Sequence, residues 1–184
     1  MIRVIMAFSM LLITFQTIAC EKNIEPATDC WNPPTKHVNA ELQRFYNISE
    51  EINQAVFIND LERIETLAIE YLQLSQKFHK NWNYGNAIHD ANIALGIAEL
   101  RKGNIKKSAK YLIAAGKSPG SPQLDSFGPE LKLANVLLQN EQREAVKKYL
   151  SEVRKFWKMD KGLIEKWLIS IESGKTPKLS RFQR

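Results

Sequence analysis

The sequence predicts an all-α protein of about seven helices that stack as antiparallel hairpins. From His37 to nearly Gly174, apolar residues recur at the three- and four-residue spacing of one helix face, and no stretch alternates as a strand does. The pair Tyr-Leu also recurs, at Tyr71, Tyr111 and Tyr149, with spacings of 40 and 38 residues. A repeat of this length is typical of stacked helical hairpins, because one hairpin cannot bury its apolar face alone.

Residues 1–19 have the pattern of a signal peptide. Arg3 precedes an apolar run from Val4 to Phe15, and the small residue Ala19 ends the segment. The run is shorter than the roughly 20 residues that a membrane-spanning helix needs. The segment therefore predicts export, with the remaining chain soluble apart from any anchor.

Cys20 directly follows this segment. The string Thr17-Ile18-Ala19-Cys20 resembles the lipobox of bacterial lipoproteins, which implies a Cys20 acylated at the mature N-terminus and a lipoprotein anchored to a membrane in the periplasm. The alternative is simple cleavage after Ala19 with a disulfide between Cys20 and Cys30, which an oxidising compartment permits. Lipidation is the preferred interpretation, and the disulfide stays open.

The elements follow in order after a flexible tether at residues 20–36, which contains three prolines. Two helices, from Val38 and from Leu61, flank the turn and N-cap pair Asn59-Asp60. A third runs from Trp82 to Lys102, where Gly103-Asn104 supplies a C-cap glycine and a new N-cap for a fourth from Ile105 to Ala115.

The predicted helical domain spans residues 37–174, and one loop interrupts its second half. The loop at residues 117–129 holds three prolines and two glycines, so it is expected to be non-helical. A fifth helix is expected from Asp125 or Ser126 to Gln139, a sixth to Trp157 and a short seventh after Asp160. Residues 175–184 read as a frayed, basic C-terminal tail.

Residues 92–119 resemble a tetratricopeptide repeat, a hairpin of two helices. The resemblance rests on five features: Leu95-Gly96 in the first helix, Gly103-Asn104 at the turn, the small residues Ser108 and Ala115, and Pro119 at the exit. It implies a short right-handed solenoid of helix pairs whose first helices line a concave face. The spacing of 40 and 38 residues is longer than the family's repeat of about 34.

The resemblance implies binding of a protein or peptide in that concave groove. The family's groove positions correspond here to Asp90, Ile93, Ile97 and Arg101. Two neighbouring aromatic residues, Trp82 and Tyr84, are further candidates because they could form a lip on the groove. An alternative to groove contact for these residues is packing against a neighbouring helix.

A polar stripe runs along the third predicted helix between two apolar faces, which predicts burial. Its polar members are Asn81, His89, Asn92 and Glu99. A buried amide without a hydrogen-bond partner costs about 1–3 kcal/mol, so these side chains should have partners. The preferred partner is the loop at residues 118–126, which they would clamp; the alternative is the backbone of a bound peptide.

The uneven distribution of charge along the chain limits the kinds of partner that the protein could bind. Residues 20–100 hold 6 Lys/Arg and 12 Asp/Glu, whereas residues 101–184 hold 19 and 8. The basic half would suit an anionic membrane, an acidic protein or solvent, and export disfavours nucleic acid.

Catalytic patterns are missing from the sequence. The three His have no metal-ligand spacing, and neither a GxSxG nucleophile motif nor a glycine-rich phosphate loop occurs. We therefore predict no enzyme activity, cofactor or metal, and expect a non-catalytic binding protein of the cell envelope. The alternative is an envelope immunity or inhibitor protein that occludes a toxic enzyme.

Overall fold

The computed structural model describes residues 40–181 and confirms the all-α class. The described residues form eight helices and no strand. Their bounds are α1 Ala40–Phe57, α2 Leu61–Lys77, α3 Tyr84–Arg101, α4 Ile105–Gly116, α5 Pro122–Phe127, α6 Lys132–Gln139, α7 Arg143–Val153 and α8 Leu163–Glu172. The predictions for Cys20, Cys30 and residues 1–36 lie outside the described residues.

Three tight turns close the pairs α1–α2, α3–α4 and α6–α7 with the same geometry. The second residue after the first helix of each pair has a positive φ: 60° at Asn59, 81° at Gly103 and 61° at Glu141. The next amide in each case donates to a carbonyl five residues earlier, which is the Schellman hydrogen bond of a helix C-terminus. These bonds run from Asp60 to Ala55, from Asn104 to Glu99 and from Gln142 to Leu137, at 3.0, 2.8 and 2.9 Å.

The structure has eight helices where seven were predicted, and the additional one, α5, lies in the segment that was expected to be an irregular loop. Ser121 caps it, because its Oγ accepts the Leu124 amide at 3.0 Å, and Pro122 occupies its first position. The helix stops at Gly128, whose φ is 75°. The expectation of one helix from Asp125 or Ser126 to Gln139 is therefore wrong: α5 ends at Phe127, and α6 begins at Lys132.

Helix α3 lies between the two apolar cores of the described unit. Its four alanines at 87, 91, 94 and 98 are nearly inaccessible and pack in the core formed with α1 and α2. Its Ile93 packs in the second core, which α4 and α6–α8 complete. The largest contact of α4 beyond α3 is with α7, and its contact with α6 is small. Because α3 is buried on both sides, polar groups on it need partners from both cores.

The C-terminal segment was expected to fray, but its described part, up to Arg181, is attached to α6. Leu179 is buried in the second core. The Asn135 side chain pairs with the Leu179 backbone, accepting its amide and donating to its carbonyl, both at 2.8 Å. Burial and this paired hydrogen bonding explain the order, because the segment covers apolar surface on α6.

One end of the hairpins, here called the open end, holds the N-termini of α1 and α3 and the C-termini of α2, α4 and α7. Lys77 at the end of α2 pairs with Glu41 at the start of α1. Ser118 after α4 donates to the carbonyl of Gly85 at the start of α3, at 2.7 Å. The three tight turns lie at the other end, because short connections make paired helices antiparallel.

Candidate peptide-binding groove

A groove of about 160 Å³ opens between the first helices of the three pairs. Helix α1 contributes Ser49, Ile52, Asn53 and Val56. Helix α3 contributes Asp90, Ile93, Ala94 and Ile97, and the start of α6 adds Glu130 and Lys132. Branched aliphatic side chains from α1 and α3 form the floor, and charged groups stand at the side nearest α6. Such a surface suits a ligand with both apolar and charged groups.

Two carboxylates border the groove, and they are held differently. One oxygen of Asp90 lies 2.8 Å from Nδ1 of His89, while 43% of the Asp90 side chain remains exposed. Both oxygens of Glu130 accept backbone amides at the start of α6, from Lys132 at 2.7 Å and Leu133 at 3.2 Å. Asp90 is therefore the carboxylate with more freedom to meet a cation in the groove.

A buried polar network supports Asp90 from behind. His89 is inaccessible to solvent, and since a carboxylate only accepts, its Nδ1 is the protonated nitrogen facing Asp90. Its Nε2 lies 3.3 Å from the hydroxyl of Tyr149, which donates to the carbonyl of Glu130 at 2.7 Å. The network thus connects α3, α7 and the segment before α6, and it fixes the side of the groove.

Tyr71 and Tyr149, two of the three repeated tyrosines, lie on opposite sides of α3, and both are near the Asp90 carboxylate. Burial and the charge of Asp90 raise the pKa of Tyr71 to about 12. Burial, with Glu130 and Asp90, raises the pKa of Tyr149 well above its ordinary value of 10.0. Both hydroxyls therefore stay protonated at neutral pH.

The stripe was predicted to be buried or half-buried; His89, Asn92 and Glu99 are buried and Asn81 is half-buried. Its four polar members, however, bond groups other than the loop. Asn81 donates to the hydroxyl of Tyr46 at 2.7 Å, and Asn92 donates to the carbonyl of Ile88 in its own helix at 2.7 Å. His89 faces Asp90 and Tyr149, as described above. The clamp assignment is therefore corrected, because their partners lie on α1, α3, α4 and α7.

The loop is held instead by Asn86, which was not predicted. Ser121 donates to its side-chain oxygen, and its amide donates to the side chains of Gln123 and Asn83. Asn83 is only 6% exposed and donates to Tyr71 at 3.0 Å. Asn81 and Asn83 precede α3, which begins at Tyr84, so a helical projection does not give their positions.

Glu99, the last member of the stripe, stabilises the α3–α4 turn. Its side chain is 3% exposed and accepts hydrogen bonds from Lys107 and Asn104, both at 2.8 Å. The bond from Lys107, helped by Asn104 and opposed by burial, holds the pKa of Glu99 below its ordinary value of 4.5. A carboxyl with a lowered pKa stabilises the fold when ionised and loses that contribution as it is protonated.

Glu99→Gln is expected to lower the free energy of unfolding at pH 7 by about 1–2 kcal/mol, because the charged hydrogen bonds are lost. The difference from the wild type should be full above pH 4.5 and shrink as the pH falls through the lowered pKa of Glu99. Urea unfolding of both proteins from pH 7 down to pH 3 measures this difference. A difference that is constant across this range would contradict the assigned role.

The six groove candidates lie in different places. Asp90, Ile93 and Ile97 line the groove. Arg101 donates to the carbonyl of Val56 at 2.9 Å, so it lies by the groove's turn end. Trp82 is 53% exposed and stacks on Tyr46 with ring centroids 5.8 Å apart, beside the groove rather than in its lining. Tyr84 is half-buried and also outside the lining.

Sequence reasoning missed the residues that α1 and α6 contribute. On α1, the spacing of Ser49, Ile52, Asn53 and Val56 marks one helical face, which could have identified that side. Lys132 and Glu130 follow an irregular segment, and no periodic signal identifies them. The resemblance to a known repeat identified only the middle helix.

Neither a cluster of metal ligands nor a membrane-spanning helix is found among the described residues. In this part of the chain no three His, Cys, Asp or Glu side chains gather as metal ligands would. No helix between residues 40 and 181 combines the length and hydropathy needed to cross a bilayer. Comparison with protein families, curated proteins and solved structures finds no match to this chain.

Proposed function

We propose that this chain is a non-catalytic binding protein that holds an extended peptide segment of another protein in the groove of α1, α3 and α6. The observation that carries the proposal is the groove itself, which the first helices of three successive pairs border. Its volume of about 160 Å³ is smaller than the roughly 300–1,000 Å³ of small-molecule pockets, so it suits one or two side chains of a peptide that lies across the helices better than an enclosed small molecule.

The proposal includes a short tetratricopeptide-like, right-handed solenoid. It is supported by the three turns with the same positive φ and the same Schellman hydrogen bond. The recurrence of Tyr71, Tyr111 and Tyr149 on α2, α4 and α7, the second helices of the pairs, also supports it. The strong contact of α4 with α7 is a departure from even stacking, which we attribute to the eight-residue length of α6.

The groove also supports a chemical class of peptide. Its floor, with Ile52, Ile93 and Ile97, would take a branched aliphatic side chain of the ligand. The exposed part of Asp90 would pair with a Lys or Arg. Helices α1–α3 carry 4 Lys/Arg and 8 Asp/Glu, which adds a negative field favourable to a basic ligand.

The setting we propose is the periplasm of a bacterium, with the chain exported and anchored as a lipoprotein through Cys20. This follows from the leader-like residues 1–19 and the lipobox-like string before Cys20. Labelling cells with a palmitate analogue tests it, since the wild type should be labelled and Cys20→Ala should not. Absence of label in the wild type would contradict the anchor.

The binding proposal is tested by selecting peptides from a random display library against the chain that begins at residue 20. Selected peptides are expected to combine a basic with a branched aliphatic residue. Asn53→Trp should weaken their binding by more than about tenfold, because an indole at this exposed lining position fills the groove. Failure to enrich any peptide would contradict the proposal.

A matched control is available on the same helix. Gln54 is also exposed, but it lies one position along α1 and outside the groove lining. Gln54→Trp adds the same side chain and should leave the affinity within about twofold of wild type. Equal losses for the two variants would place the bound peptide elsewhere.

A further inference from the structure

The open end carries an apolar and basic surface that the proposed groove does not use. Phe127 at the end of α5 is 69% exposed, and Met159 between α7 and α8 is 56% exposed. Exposed apolar side chains that occur together with a cluster of cations are candidates for an interaction surface. The two segments that bear them are in contact, so the pair belongs to one surface.

Contacts between backbone and side chains fix this arrangement. The amide of Lys158 donates to Asp125 at 2.8 Å, which joins the segment after α7 to α5. Gly128 lies against Trp157 so closely that a Cβ on Gly128 would be 2.5 Å from the indole ring. Phe127 and Met159 are the adjoining residues that point away from these contacts, as their exposure shows.

Cations surround the two apolar side chains. The guanidinium of Arg181 donates to the carbonyl of Phe127 and is thereby held beside it. Lys158 precedes Met159, Lys161 follows it two positions later, and both lysines are exposed. Residues 154–162 hold 4 Lys/Arg and 1 Asp. Of these, Arg154 pairs with Glu165 and Lys155 with Glu152, while Asp160 accepts the amides of Gly162 and Ile164 at the start of α8.

We infer that this surface, defined by Phe127, Met159, Lys158, Lys161 and Arg181, rests on an anionic lipid bilayer. Apolar side chains that enter the boundary of the acyl chains, surrounded by cations that meet anionic headgroups, are the two requirements of peripheral membrane binding. Charge complementarity selects a lipid surface, since an uncharged apolar partner would cover Lys158 and Lys161 without supplying negative charge.

The path of the chain agrees with this orientation. The N-terminal segment enters α1 at Ala40, and the N-terminus of α1 lies at the open end with the surface. The inference does not depend on acylation, because the surface should bind lipid by itself, and it does not depend on the groove.

The test is sedimentation of the chain from residue 20, carrying Cys20→Ser, with sucrose-loaded vesicles. Vesicles of phosphatidylglycerol and phosphatidylethanolamine should bind it at low salt, vesicles of phosphatidylcholine should bind it weakly, and added salt should release it. The double variant Lys158→Gln/Lys161→Gln should bind on the order of 20-fold more weakly, since each lysine near an anionic surface contributes about fivefold. Phe127→Ser/Met159→Ser should lose about tenfold or more.

The opposite end supplies a matched control. Phe57 and Ile58 are 90% and 60% exposed at the α1–α2 turn, so Phe57→Ser/Ile58→Ser removes a comparable apolar pair and should leave vesicle binding unchanged. All substituted side chains are exposed, and thermal melting checks that each variant folds. Three results would overturn the inference: no binding to anionic vesicles, equal binding by the wild type and the Lys158/Lys161 variant, or binding to soluble polyglutamate but not to vesicles.

Discussion

Gly85→Ala is expected to destabilise the protein by about 2–3 kcal/mol, as overpacking of a closed contact does. A Cβ on Gly85 would lie 1.8 Å from the carbonyl oxygen of Gly120, and that neighbour is backbone, which cannot rotate away. The loop would have to move, and the hydrogen bond from Ser118 to the Gly85 carbonyl would be strained. A Gly→Ala substitution in an ordinary helix stabilises a protein by up to about 1 kcal/mol. A loss of stability at Gly85 would therefore indicate by its sign alone that the position is in close contact.

Urea unfolding measures this effect, and Gly96→Ala on the same helix is the control. A Cβ on Gly96 would meet Leu133 Cδ2 at 2.5 Å, the end of a flexible side chain that can shift. Its expected cost is below about 1 kcal/mol. If Gly85→Ala were neutral or stabilising, the close contact between α3 and the loop would be wrong.

Leu112→Ala is expected to lower the free energy of unfolding by about 2–5 kcal/mol, because it leaves a cavity in the second core. Leu112 is inaccessible to solvent and belongs to the Tyr-Leu pair of the middle repeat. Tyr111, the other residue of this Tyr-Leu pair, is only half-buried, so the two residues of the pair differ in burial. The effect should appear as a lower urea midpoint with an unchanged slope.

The control is the truncation of an exposed aliphatic residue, which leaves no cavity in the core. Ile169 on α8 is 58% exposed, and Ile169→Ala should change the stability by less than about 0.5 kcal/mol. A Leu112→Ala cost as small as that of Ile169→Ala would show that α4 does not pack as described.

The helices were predictable wherever the apolar period was long, as from Leu61 or across the turn at Gly103. Helix α5 was not, because six residues are too short for a period to be recognised, and only its cap, Ser121-Pro122, marks its start. The end of the chain was also misjudged. Leu179 is an isolated apolar residue in a basic tail, and its burial depends on Asn135, which is distant in sequence.

The candidate site was predictable on one helix and unpredictable across helices. Asp90, Ile93 and Ile97 share one face of α3, and any helical projection groups them. Asn53 and Lys132 join them only through tertiary packing, which local patterns do not encode. The burial of the polar stripe was largely predictable too, but its hydrogen-bond partners were not, because Tyr46, Gln123 and Ser121 are distant in sequence and meet Asn81 and Asn86 only through tertiary packing.

The central claim is that the groove of α1, α3 and α6 holds an extended peptide. The most direct measurement is a titration of the methyl-labelled protein with a selected basic peptide, observed by NMR. Shifts are expected at Val56, Ile93 and Ile97, which line the groove, while Ile69 and Ile169, exposed elsewhere, stay unchanged. Shifts at Ile69 or Ile169 with none at the three groove residues would contradict the claim.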